Sequence, residues 1–183
     1  GSNGQSSCTT TTNGYETSDE DGSGRGATAQ AKCGVGKYGS GATRTCAASS
    51  SGYRTTGEDS NNLGATGQTI CLKGSYSTGT APDCTLCEVG KYQGSNGQTS
   101  CATTTNGYET SDEDGSGRGA TAQAKCAVGT YGSGATRTCA ASSPGYETTG
   151  EDVNGFGATS EKECTKDTFS WDWRDIVHPA LLV

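Results

Sequence analysis

The chain of 183 residues holds 30 Gly, 10 Cys, no Met and only 29% hydrophobic residues, too little apolar material to offset the entropy of ordering a chain. Its net charge of −7 disfavours nucleic acid, which needs a basic surface, and no apolar run approaches the ~20 residues of a membrane span. An even, regularly spaced set of cysteines in so core-poor a chain implies disulfides and an oxidising, extracellular or cell-surface setting.

The chain opens with Gly1 to Cys8, GSNGQSSC, and the same words return at Gly94 to Cys101 as GSNGQTSC. The two copies run in step until Cys71 and its counterpart Cys164. This divides the chain into a first cysteine-rich copy (1–86), a second copy (87–164) and an aromatic and apolar tail (165–183). No signal peptide is visible and residue 1 is not Met, which suggests a processed chain or a fragment. Apart from the link Cys84–Cys87, each Cys-bounded loop carries one Tyr: Tyr15, Tyr38, Tyr53, Tyr76, Tyr92, Tyr108, Tyr131 and Tyr146. Most loops then carry a Gly-Ala-Thr turn before the next Cys, at Gly26–Thr28, Gly41–Thr43 and Gly64–Thr66. The pattern predicts a small hairpin: Tyr packs over a disulfide, Gly permits the turn, and Thr favours the returning strand. No 3.6-residue periodicity survives the Gly punctuation. The expected fold is small, disulfide-rich and all-β, with almost no helix. Hairpins too short to stand alone stack in tandem into an elongated rod.

The tail is a diverged loop. Phe169, Trp171 and Trp173 alternate as on one strand face. Phe169 follows Cys164 at the spacing with which Tyr76 follows Cys71, and Val177 stands where the closing Cys would fall. With Ile176, Val177, Leu181 and Leu182 these aromatics are the expected subunit contact. At the other end, Cys8 closes a loop whose opening Cys would precede residue 1.

Three further features carry candidate chemistry. Thr9, Thr10, Thr11, Thr12, Thr103, Thr104 and Thr105 are candidate O-glycan acceptors or plain solvated loops. Asp19 and Asp21, with Asp112 and Asp114 in the second copy, match the first half of a calcium loop, D-x-D-x-S-G. Gln30 and Gln123 stand where the bidentate Glu would be, so a solvated acidic turn is expected and no metal is assigned. Cys84-x-x-Cys87 lacks the second Cys pair or His of a zinc site and the βαβ setting of a thiol oxidoreductase. It reads as a structural junction. His178 is the single His, so no relay built on several imidazoles exists, and no nucleophile–base pair is found. The chain reads as a non-enzyme without a cofactor.

Two regular disulfide schemes suit the spacing. The first closes the short loops, Cys33–Cys46, Cys71–Cys84, Cys87–Cys101 and Cys126–Cys139. The second closes the long ones, Cys8–Cys33, Cys46–Cys71, Cys101–Cys126 and Cys139–Cys164, and leaves Cys84 and Cys87. Each short loop begins Cys-x-x-Gly-x-Tyr: CGVGKY, CLKGSY, CEVGKY and CAVGTY. This wording, with its closing Cys, resembles the cysteine-rich repeats of ephrin-receptor-like and tumour-necrosis-factor-receptor-like ectodomains, and the longer loops are similar in wording to the cysteine-rich surface antigens of ciliates. The first resemblance implies loops closed by their own two cysteines, the short-loop scheme. Cys8 and Cys164 then remain at opposite ends of a rod, for an intermolecular disulfide. The functional expectation is the subunit of an extracellular filament or surface coat, polymerising head to tail with itself as partner and carrying O-linked glycans. The alternative is a receptor-like ectodomain that binds a protein ligand.

Overall fold

The computed structural model describes residues 7–18, 25–42, 44–79 and 81–165. Among these there is no helix, only short strands paired into eight antiparallel hairpins. In chain order β1 (Tyr15–Ser18) pairs with β2 (Ala29–Lys32), β3 (Lys37–Tyr38) with β4 (Ala47–Ala48), β5 (Tyr53–Thr56) with β6 (Gly67–Ile70), and β7 (Ser75–Tyr76) with β8 (Thr85–Leu86). Then β9 (Lys91–Tyr92) pairs with β10 (Ala102–Thr103), β11 (Tyr108–Ser111) with β12 (Ala122–Lys125), β13 (Thr130–Tyr131) with β14 (Ala140–Ala141), and β15 (Tyr146–Thr149) with β16 (Ser160–Glu163). The order is therefore long, short, long, short, short, long, short, long.

One turn opens both kinds of hairpin. In Thr12–Tyr15 the Tyr15 N–H donates to the Thr12 carbonyl at 3.1 Å, and in Gly34–Lys37 the Lys37 N–H donates to the Gly34 carbonyl at 3.0 Å. The third residue, Gly14 or Gly36, has a φ of 82° or 72°, a conformation that a side chain resists. The long hairpins brace this turn from their returning strand. Gln30 Oε1 accepts from the Thr12 N–H at 3.0 Å and Gln123 Oε1 from the Thr105 N–H at 3.0 Å. Gln68 and Glu161 do the same for Ser50 and Ser143.

The disulfides are Cys33–Cys46, Cys71–Cys84, Cys87–Cys101 and Cys126–Cys139, each closing a short hairpin. The first cysteine of every pair is fully buried and ties its neighbours together through its backbone. Cys33 donates its N–H to Gly14 O in the preceding hairpin and accepts from the Gly64 N–H in the following one, both at 2.8 Å. Cys71 does this between Gly52 and Gly97, Cys87 between Gly74 and Gly119, and Cys126 between Gly107 and Gly157. Each hairpin thus bonds to the next hairpin and to the one after it, so the stack grows along one direction. It does not break between the two sequence copies: Gly74 N–H donates to Gln93 O at 2.7 Å, across the 86/87 boundary.

The packing is so close that side chains are excluded from part of the interior. A Cβ on Gly14 would fall 2.1 Å from the carbonyl oxygen of Gly64, and one on Gly107 would fall 2.1 Å from that of Gly157. What fills the rest is small: Ala65, Ala120, Ala158, Thr55 and Ser77 are buried. The tyrosines, expected to pack over the disulfides, are half-buried apart from Tyr146, which is exposed. Their backbones matter more: Tyr38, Tyr92 and Tyr131 bridge in parallel to Ala65, Ala120 and Ala158 of the following long hairpin.

Replacing Cys71 and Cys84 together by Ser is expected to lower stability by about 3 kcal/mol, the contribution of a bridge closing a loop of this length. Urea unfolding measures it, and Cys8→Ser serves as a control that leaves the monomer's stability unchanged.

Candidate functional site

The residues singled out by their chemistry fall into three groups: the hairpin tips, the threonine runs and the two ends of the stack. At the tips of the long hairpins the acidic residues organise their own loops. Asp114 Oδ1 accepts from the Ser116 hydroxyl at 2.6 Å and from the Ser116 and Arg118 N–H groups, each at 2.9 Å. These donors, the Ser116 hydroxyl first, hold its pKa below the ordinary carboxylate range. Asp59 accepts in the same way from Asn61 and Leu63, and Asp152 from Asn154 and Phe156. Both also reach back to the preceding long hairpin: Lys32 Nζ lies 2.7 Å from Asp59 Oδ2, and Lys125 Nζ 2.8 Å from Asp152 Oδ2. The Lys32 ammonium, helped by the loop N–H groups, holds the Asp59 pKa down to about 2, and Lys125 lowers that of Asp152 likewise.

Of the calcium candidates, Asp112 accepts from the Thr121 hydroxyl at 3.4 Å, Asp114 serves its own turn, and Asp19 and Asp21 lie outside the described residues. Among the described residues no group of three or more His, Cys, Asp or Glu converges on a metal position. Gln30 and Gln123, read as failures of the calcium pattern, are the residues that brace the opening turns. Glu113 takes Arg137 Nε at 2.9 Å and the Thr110 hydroxyl. At the corresponding Glu58, Pro82 stands in the place of that Arg, and Oε2 is buried without a partner.

The threonine runs divide. Thr9, Thr10, Thr12, Thr103 and Thr105 are exposed and Thr11 is half-buried. Thr104 leaves the set of accessible hydroxyls: it is 3% exposed, its Oγ1 lies 3.3 Å from Gly90 O, and it accepts the Thr136 N–H at 2.9 Å.

The two unpaired cysteines occupy opposite half-cystine positions. The Cys164 N–H donates to Gly145 O at 2.8 Å, as the Cys71 N–H donates to Gly52 O. Cys164 is thus a first half-cystine, but only half-buried where its four counterparts are fully covered. Cys8 is a second half-cystine: Thr11 just beyond it accepts the Ala42 N–H at 3.2 Å, as Thr104 beyond Cys101 accepts the Ala135 N–H at 3.2 Å. Both thiols are free, and Cys8 is exposed. A third residue belongs with them. Glu16 accepts the Cys46 N–H at 2.9 Å and Glu109 accepts the Cys139 N–H at 2.8 Å, each bracing the second half-cystine of the next hairpin. Glu147 holds the same position in the last described hairpin and is paired with Lys162 at 3.1 Å. The expected contact residues Phe169, Trp171, Trp173, Ile176, Val177, Leu181 and Leu182 lie outside the described residues.

No helix among the described residues is long and apolar enough to cross a membrane. No protein-family model and no curated protein matches the sequence.

The lowered Asp59, Asp114 and Asp152 values carry a sign. A depressed carboxyl stabilises above its unfolded pKa, near 3.8, and that stability is lost as pH falls through the folded value, about 2 for Asp59. Replacing all three by Asn keeps the Asx-type loops and removes the charge. Urea midpoints of the native chain should therefore fall between pH 4 and pH 2, and those of the triple variant should fall less.

Proposed function

We propose that the chain is an extracellular structural repeat protein, the subunit of a filament or surface coat that assembles head to tail. The observation that carries this reading is the complementarity of the end cysteines. Cys164 needs a second half-cystine, Cys8 needs a first, and the stack separates them by its full length. Joined between successive units, they close one further short hairpin. The order of hairpins then continues as long, short, long across the joint, and Glu147 meets the N–H of the incoming Cys8 as Glu16 and Glu109 meet those of Cys46 and Cys139. The contact is heterologous, so it propagates rather than closing on itself. Its mechanical basis is that each short hairpin is locked by a disulfide and by the backbone bonds of its buried cysteine to a hairpin on either side. Exposed Thr9, Thr10, Thr12, Thr103 and Thr105 are the places for O-linked glycans on such a surface. The disulfide framework supports an oxidising compartment.

Joining two thiols releases two protons and two electrons, which a small disulfide such as oxidised glutathione accepts. In a glutathione redox buffer the purified chain should give a ladder of multimers on non-reducing gels that collapses on reduction. Cys8→Ser and Cys164→Ser should each abolish it, and the two single variants mixed together should stop at dimers joined Cys8 to Cys164. Monomers with both thiols intact under these conditions would overturn the reading.

A further inference from the structure

Resting on the head-to-tail reading, we infer the register of the joint: the open seat at Gly145 of one unit takes the carbonyl of Gly26 from the first hairpin of the next, and Ala27 of that hairpin becomes buried as the joint closes. The inference stands on glycines and an alanine, independently of the cysteines.

Five joints between a hairpin and the one two places on are built alike. The Gly that opens the earlier hairpin lies under a carbonyl of the later one. A Cβ on Gly14, Gly52, Gly74, Gly90 or Gly107 would fall 2.1–2.2 Å from the carbonyl oxygen of Gly64, Gly97, Gly119, Ala135 or Gly157 respectively. Gly145 opens the eighth hairpin in the same way, with a φ of 84°, and none of the described residues lies within 4 Å of its Cβ position. It is a seat without an occupant among the described residues.

The occupant it fits is at the other end. In the long hairpins the seated carbonyl belongs to the Gly of Gly-Ala-Thr: Gly64, Gly119 or Gly157. The first hairpin carries the same words at Gly26-Ala27-Thr28. A Cβ on Gly64 or Gly157 would meet the preceding Gly and Lys side chain at about 3.6 Å, whereas one on Gly26, at φ 72°, meets nothing described within 4 Å. Ala65, Ala120 and Ala158 are at most 1% exposed and each bridges to the Tyr of the preceding short hairpin. Ala27 is exposed. One face thus lacks a carbonyl and the other lacks the backbone beneath it, and the pair Gly107–Gly157 gives the geometry that would join them. The count of hairpins agrees: a hairpin closed by Cys164 and the next unit's Cys8 is the ninth. The first long hairpin of that unit is then the tenth, two places beyond the eighth. One internal feature is missing. Glu163 stands where Lys32 and Lys125 make their ion pairs, so this joint is held by backbone packing and the disulfide without that pair.

The test follows the initial rate of covalent dimer formation in glutathione buffer. Gly145→Asn is compatible with the left-handed backbone and has open space in the monomer, but obstructs the seat. Ala27→Arg is solvated in the monomer and cannot enter a buried position. Gly115→Asn, in an exposed tip with nothing within 4 Å, is the control. Each of the first two variants should slow dimer formation at least tenfold, while Gly115→Asn matches the native rate. Circular dichroism, thermal midpoint and the rate at which a small thiol reagent labels Cys164 should be unchanged in all three. Native rates in Gly145→Asn and Ala27→Arg would overturn the register and leave head-to-tail assembly standing. Failure of the native chain itself to cross-link would remove both.

Discussion

A fully buried cysteine whose sulfur closes one hairpin and whose amide groups bind two others is the constraint from which the fold follows. Such a chain has no apolar mass to collapse around. Cohesion comes from backbone hydrogen bonds of 2.8–2.9 Å at Cys33, Cys71, Cys87 and Cys126, lying beside buried sulfur and shielded from competing water. Drawing backbones together in this way leaves no room for large side chains between tiers. The interior positions therefore go to Gly, Ala and hydroxyl residues whose oxygens bond to carbonyls, as Ser49 Oγ does to Gly79 O at 3.0 Å. A composition that would otherwise read as disordered is the one this architecture requires.

The junction Cys84–Cys87 shows how the stack tolerates irregularity. Two short hairpins follow one another there, so the sixth hairpin rests on β8 of a short hairpin instead of β2 or β12 of a long one. Leu86 takes the place of Lys32 and Lys125, lying 3.3 Å from the Cβ position of Gly119. Asp114 compensates within its own loop through Ser116. The Cys–backbone bonds are kept and only the peripheral ion pair changes. These pairs are exposed and contribute little, so the spine, not the rim, sets what can stack on what.

Much of this was legible in the sequence because it is periodic. The cysteine beat, one Tyr per loop and the Gly-Ala-Thr words give hairpins of two lengths and almost no helix. What the sequence hid depends on partners far along the chain. Gln30 reads as a poor calcium ligand and Thr104 as a glycan acceptor until the turn at Thr12 and the carbonyl of Gly90 are placed beside them. The fully covered positions were hidden for a related reason. Ala65, Ala120 and Ala158 are covered because each bridges to the backbone of a Tyr in the preceding short hairpin. The two half-cystine classes were legible, since the spacing makes Cys8 a closing and Cys164 an opening cysteine, and the backbone bonds of Thr11 to Ala42 and of Cys164 to Gly145 agree.

A one-dimensional stack has two ends, and their complementarity is built in unless the sequence removes it. Repeat proteins that stay monomeric replace the outer face of a terminal repeat with polar, obstructing residues. The hairpins at both ends of the described stack keep the interior pattern: Gly26-Ala27-Thr28 at one, and Gly145, Gly157-Ala158-Thr159 and Cys164 at the other. Val128, Val153 and Phe156 add exposed apolar surface at the second. A charge at Ala27, which is exposed in the monomer, would obstruct continuation without the loss of any buried contact. Gly145 and Ala27 thus carry the same residues as the interior joints, Gly145 serving its own left-handed turn as well, and this is the pattern on which the proposed self-extending stack rests.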